Sequence, residues 1–174
     1  THAFHGPIDT AQNEIKKSLA ANLQAADDWI FERFKDVAAS SGTTAVTAIL
    51  SASSVITGHV GDSRAVLGRK NKGADVYERE KADYCEWKAV ELTADHKPDV
   101  GTSEYERIMA AGGMVLPGDV HQGRGAAVKA GKMALQMSRS IGDHGMSRAV
   151  VISEPTMGEI PITEDDACLI LATD

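Results

Sequence analysis

At 174 residues, 43% of them hydrophobic, the chain is long enough to bury a core and fits one domain or a large piece of one. Eighteen Lys and Arg stand against 25 Asp and Glu, and the net charge of -7 repels polyphosphate over most of the surface, which excludes nucleic acid as the expected partner. Cys85 and Cys168 lack C-x-x-C spacing, and no apolar run approaches the ~18 residues of a membrane span, so zinc, a disulfide framework and a spanning segment are not expected.

Thr1 to Ile8 reads as loop. From Asp9 a helix is predicted: Asp9 with Gln12 has the form of a capping box, and Ile15, Leu19, Leu23, Ala26, Ile30 and Phe34 recur at helical steps along one stripe. Lys16, Lys17, Gln24, Asp27 and Lys35 fall mostly off that stripe, as on an amphipathic helix packed against a sheet. Ser40-Ser41-Gly42 ends it. Thr43 to Leu50 has apolar residues at both parities, the pattern of a strand covered on both faces. Two further apolar runs, Val55 to Val60 and Ala65 to Leu67, flank Gly61-Asp62-Ser63, the composition of a tight hairpin turn with Asp62 at its tip. The short connections predict an antiparallel meander.

Arg69 to Lys88 is charged and reads as a long hairpin loop, Ala89 to Thr93 as a short strand, and Ala94 to Pro98 as the turn that leaves it. Ser103 with Glu106 forms a capping box for a short helix stopped by Gly112-Gly113. Met114 to Leu116 returns to the sheet. Pro117 to Lys132, rich in Gly and poor in apolar residues, reads as a surface flap. Met133 to Met137 is apolar, Ser138 to Asp143 a polar corner, Thr156 to Ile160 a strand, and Cys168 to Ala172 a buried strand.

Gly61-Asp62-Ser63-Arg64-Ala65 nearly matches the G-x-S-x-G nucleophile elbow, but Ala65 replaces the last glycine and the chain continues as a strand where an elbow must enter a helix. Ser63 is therefore not expected to be a nucleophile. His59, His96, His121 and His144 show no zinc-type spacing, and packing or surface roles are expected. Asp62 at a turn tip and Asp174 after an apolar run both sit where a strand emerges at the rim of a sheet. Each alone is an ordinary turn residue. If they converge, their repulsion favours a divalent cation between them, and oxygen ligands suit Mg or Mn. Arg64 and Arg139 each stand beside an aspartate-bearing corner, to pair with Asp62 or Asp143 or to hold a phosphate or carboxylate.

Ser41-Gly42-Thr43-Thr44-Ala45, Val60-Gly61-Asp62-Ser63-Arg64-Ala65-Val66-Leu67, Asp95-His96-Lys97-Pro98, Glu106-Arg107-Ile108 with Ala111-Gly112-Gly113, Ser138-Arg139-Ser140-Ile141-Gly142-Asp143, Glu154-Pro155 and Leu169-Ile170-Leu171-Ala172-Thr173-Asp174 follow one another in this order. In this the chain resembles the type 2C (PPM) metal-dependent serine/threonine protein phosphatases. The resemblance implies an α+β fold: a β-sandwich of two antiparallel sheets flanked by helices on both faces, a four-layer αββα arrangement incomplete in this chain. It implies hydrolysis of phosphoserine and phosphothreonine in proteins by a water activated at two or more Mg or Mn ions. Asp174 matches the family's core metal-binding aspartate, and Asp62 the aspartate that contacts a further, more weakly held metal. Ser138-Arg139 and Asp143 match a motif that supports the fold near the site. Pro117 to Lys132 matches the variable flap beside the substrate groove, where substrate choice is set.

The family's Asp-Gly-His-Gly-Gly motif should precede the first helix, and Phe4-His5-Gly6-Pro7 does not match it. The arginine upstream of that motif and the metal ligands beyond Asp174 are also not in the sequence. Residues 1–174 are therefore expected to be the central part of a single catalytic domain, its N- and C-terminal portions missing, with no catalytic residue identifiable in the chain itself. The resemblance further implies a phosphoprotein substrate, a monomer, and an intracellular location, cytoplasmic or nuclear. A catalytically inactive pseudophosphatase or regulatory binding module of the same fold is the alternative.

Overall fold

The computed structural model describes residues 7–72, 85–119, 121 and 123–174. Most of the charged loop expected between residues 69 and 88, and the segment Thr1 to Gly6, lie outside the described residues. Helix α1 (Pro7–Arg33) begins earlier than the capping-box reading, with proline in the first turn, where a missing N–H costs nothing. A break at Phe34 separates it from the single turn α2 (Lys35–Ala38).

Two three-stranded antiparallel sheets follow. The first contains β2 (Ala45–Leu50), β3 (Ser54–Val60) and β10 (Thr156–Pro161), in the order β10-β3-β2. The second contains β4 (Arg64–Lys70), β5 (Trp87–Glu91) and β11 (Asp166–Ala172), in the order β11-β4-β5. Alternation along β3 explains the layering. Ser54 accepts a hydrogen bond from Gln12 Nε2 of α1 at 2.8 Å, and Leu19 of α1 lies over Gly58. At the opposite parity Thr57 Oγ1 donates to the Leu92 carbonyl at 3.3 Å and His59 Nε2 to the Ala94 carbonyl at 2.8 Å, both on the side of the second sheet. All of β3 is therefore buried, with α1 on one face and the second sheet on the other. The architecture is an α+β sandwich of antiparallel sheets, and this chain holds a part of it. Among the described residues no helix packs substantially on the strands of the second sheet.

Four expectations are corrected. The runs on either side of Asp62 do not form a hairpin: β3 is flanked by β2 and β10, β4 by β5 and β11, and Gly61-Asp62-Ser63 carries the chain from one sheet to the other. A short polar link has the same composition in either role, and the choice of partner strands decides between them. Strand β2 is not covered on both faces, since Leu50 is 63% exposed, and among the described residues it stands at the edge of its sheet. Strand β11 is likewise an edge, and Ile170 is 54% exposed. Part of the expected flap is sheet: β7 (Ala127–Ala130) lies within it and pairs antiparallel with β6 (Met114–Leu116) and β8 (Met133–Leu135), the strands that bound it. Val128 of β7 closes a second core with Ile108, Met146, Val150 and Val151.

Helix α3 (Ser103–Ala110) supplies Ile108 to that core; its cap is Thr102, one residue before the expected one, whose Oγ1 accepts from Tyr105 N at 3.1 Å. The short pair β1 (Gly42–Thr43) and β9 (Ile141–Gly142) ties the end of the helical layer to the polar corner. Among the described residues no helix is long and apolar enough to cross a membrane.

Candidate functional site

The corner between the two sheets is held by the extended segment after β5. Gly61 has φ +95°, a conformation in which a side chain is strained, and a Cβ there would lie 2.4 Å from Thr44 Cγ2. The Gly61 N–H donates to His96 Nδ1 at 3.1 Å, and the His96 N–H returns a bond to the Gly61 carbonyl at 3.1 Å. With Nδ1 accepting, the ring proton is on Nε2, which donates to Thr156 Oγ1 at 2.8 Å. Burial, with the charges of Arg139 and His59 nearby, pushes the His96 pKa down to about 3, so the acceptor nitrogen stays free. Its ring stacks on that of His59 at 4.4 Å.

The residues on either side of His96 serve the same corner. Asp95 takes a two-pronged pair from Arg64, at 2.7 and 2.8 Å, and this guanidinium holds the Asp95 carboxyl below the usual carboxylate range. Lys97 contacts the Asp62 carboxylate. Arg64 therefore pairs with Asp95 rather than with Asp62, its sequence neighbour.

Antiparallel pairing of β11 with β4 sets Ala172 opposite Arg64, and this register brings Asp174 to the corner. Asp62 and Asp174, distant in sequence, line two cavities in common. One, of about 510 Å³, is completed by Ser40 to Thr44, Leu135, Met137, Asp143 and Thr173. The other, of about 270 Å³, is completed by Arg64, Asp95, Lys97, Ala172 and Thr173. The oxygen donors described at this rim are carboxylates, hydroxyls and backbone carbonyls, beside the Lys97 ammonium, the Arg64 guanidinium and the Met137 thioether, with neither imidazole nor thiolate lining either cavity. That oxygen-rich donor set fits a hard divalent cation. Among the described residues no three acidic, histidine or cysteine side chains close into a group that could ligate an ion directly.

The other candidates resolve differently. Ser63 is buried, its Oγ 2.6 Å from Thr44 Oγ1, and the chain runs on into β4, as the strand reading of Arg64 to Leu67 expects. His59 and His96 are packed between the sheets, and His144 lies against α1. Arg139 turns away from Asp143 to Glu104, with contacts of 2.6 and 3.0 Å.

Two buried carboxylates escaped the sequence reading. Glu104 accepts from Arg139, Arg107 and Ser138 Oγ, and these donors outweigh the upward push of burial to leave its carboxyl far below the usual range. Asp27, expected on the polar face of α1, is 2% exposed. It accepts from Gly142 N and His144 Nε2 at 2.7 Å and from Ser153 Oγ and Arg148 at 3.0 Å. Burial alone would raise its pKa; these bonds bring it below the ordinary value. Asp27 so anchors β9, and with it the residue that follows, Asp143.

The fold and this rim define the chain as an α+β sandwich protein with a carboxylate-lined cavity where strands of its two sheets emerge together. The profile of the family described as Protein phosphatase 2C matches residues 8–174, and the chain belongs to that family. It is 35% identical over 165 residues to "Protein phosphatase 2C 16" of Arabidopsis thaliana, covering 95% of this chain and 27% of that protein. To "Probable protein phosphatase 2C 9" of Oryza sativa subsp. japonica it is 41% identical over 134 residues, covering 77% of this chain and 26% of the relative. The chain thus spans about a quarter of the length of these curated relatives. Its fold is similar to the crystal structure of a serine-threonine phosphatase 2C from Toxoplasma gondii, with a TM-score of 0.76 at 22% identity over 98% of this chain and 54% of that one.

Proposed function

We propose that this chain is the central part of a type 2C catalytic domain that hydrolyses phosphoserine and phosphothreonine in proteins with Mg or Mn. The observation that carries the reading is the convergence of Asp62 and Asp174 on the same cavities, at the positions where the family resemblance expects metal ligands. In this reading Asp174 holds the core ions and Asp62 a further, weaker one. When bound, the metals would supply a Lewis acid and a water of lowered pKa.

The chain's own residues do the positioning. His96 fixes the Gly61 backbone and so the direction of Asp62; the β4–β11 register fixes Asp174. Arg64 and Lys97 balance the Asp95 and Asp62 carboxylates at the second cavity. A phosphoprotein substrate, a monomeric state and an intracellular location belong to the same proposal.

The test is release of phosphate from phosphoserine and phosphothreonine peptides by a polypeptide carrying this segment with both flanks of the domain. Turnover is expected only with added Mg or Mn, and Asp174→Ala is expected to abolish it. Undiminished turnover in excess chelator overturns the proposal. Metal binding without any turnover would instead support a pseudophosphatase.

A further inference from the structure

We propose that Asp143 is a further holder of the divalent cation at this rim, acting with Asp62 and Asp174 through the ion's water shell; this rests on the reading of the rim as a metal site. Asp143 is 8% exposed and lines the larger cavity beside Asp62 and Asp174. Among the described residues its carboxylate has no hydrogen bond and no ion pair, and it does not cap the 3-10 turn it precedes, His144–Met146. Its oxygens are not sealed in the interior but open onto the cavity, so a carboxylate that finds no donor in the protein is left to what the cavity holds. Glu104 and Asp27, buried to the same degree, each collect three or more donors. What Asp143 lacks in protein donors a cation in the cavity provides.

The backbone is built to hold that carboxylate in place. Asp143 has φ +53°, a left-handed conformation that aspartate tolerates but asparagine or glycine would fill without charge. Its N–H is bonded to the Ser41 carbonyl at 2.9 Å, and the preceding N–H, of Gly142, to Asp27. The carboxylate lies on Gly42, where a Cβ would sit 2.0 Å from Oδ2, so the glycine is what leaves the carboxylate its place. The cavity of about 510 Å³ has room for an ion that keeps its waters; six waters occupy roughly 180 Å³ at the volume of liquid water. Mg gives up its shell reluctantly, which agrees with carboxylates that share a cavity without closing into a direct ligand cluster.

The test uses a polypeptide carrying this segment with both flanks of the domain, with Mn(II) binding followed by the electron paramagnetic resonance signal of the free ion and thermal unfolding measured without metal. Asp143→Asn is expected to weaken Mn(II) binding at least tenfold, in the range for outer-shell carboxylates, while the metal-free Tm stays the same or rises. Gly42→Ala, which displaces the carboxylate without removing it, is expected to weaken binding as well. Binding lost in Asp174→Ala but unchanged in Asp143→Asn overturns this inference alone. So does a metal-free Tm that falls in Asp143→Asn as far as it falls in Asp27→Asn, since the carboxylate would then be structural. No Mn(II) binding by the unaltered flanked polypeptide overturns this inference together with the reading it rests on.

Discussion

The molecule treats its acids in two ways. Glu104 and Asp27 are surrounded by donors from distant parts of the chain, whereas Asp62, Asp143 and Asp174 gather around open volume with Lys97 as their one described ion-pair partner, on Asp62. A carboxylate saturated by protein groups has no lone pair left for anything else and works as a bolt. One left short of donors in a cavity is fitted for a ligand the fold does not itself supply. The difference separates structural from functional acids here better than burial does, since Asp143 and Glu104 are almost equally enclosed.

The sharpest break of this comparison is at Glu104. Replacing it with alanine leaves the guanidinium groups of Arg107 and Arg139 enclosed without their carboxylate, a change that costs about 3–5 kcal/mol when one partner of a buried pair is removed. Urea denaturation of Glu104→Ala is expected to show a loss of that size. A loss under about 1 kcal/mol, the range of exposed pairs, would mean that saturation by donors does not mark a structural acid. Asp27→Asn is expected to cost less, about 2 kcal/mol. The amide oxygen preserves the acceptor shared by Gly142 N and His144 Nε2 while its NH2 faces Arg148 and Ser153 Oγ.

The pH dependence comes next in size. His96 is neutral in the folded chain down to about pH 3, whereas an unfolded histidine protonates near 6.5. The unfolded state therefore binds the extra proton, and stability falls as pH drops below 6.5. The expected slope from this residue is about 1 kcal/mol per pH unit. Glu104 and Asp27, whose folded pKa values are lowered, contribute stability that is present above the ordinary carboxylate range and lost as pH falls through it. Their losses add only below about pH 4.5. Unfolding midpoints between pH 6.5 and 4.5 thus isolate His96. In His96→Asn, whose side-chain oxygen can still accept from Gly61 N, the slope in that window should flatten.

How much of this was legible in the sequence depends on whether a role is local. Asp62 and Asp174 stand out as acids at strand ends, and the motif order around them brought the family into view. That they meet could not be read, because it requires the register in which Ala172 faces Arg64. The corner at Asp62 looked like a hairpin because a three-residue polar link reads the same whether the strands it joins pair with each other or enter different sheets. Asp27 was assigned to solvent because helical periodicity sorts residues by apolarity. A buried acid satisfied by Gly142, His144 and Ser153 leaves no trace within its own helix. Asp143 was legible as part of a motif that supports the fold, but its lack of partners becomes visible only when every donor around it has been placed.

The smallest expected effect lies where the two regions touch. Among Asp62, Asp143 and Asp174, Lys97 is the one described cation in an ion pair, and it occupies Asp62 as a metal would. Its side chain is 30% exposed, so the pair is screened and contributes less than about 1 kcal/mol to stability. If the ammonium competes with a divalent ion for Asp62, Lys97→Gln should tighten Mn(II) binding by roughly two- to threefold, the equivalent of about 0.5 kcal/mol, with little change in Tm. Isothermal titration at fixed ionic strength can resolve that shift, and the same variant carrying Asp62→Asn should not show it, because the contested oxygen is gone. Weaker binding in Lys97→Gln would carry the opposite lesson: the lysine would then hold Asp62 in position for the ion, and the rim would contain a bolt of the same kind as Glu104.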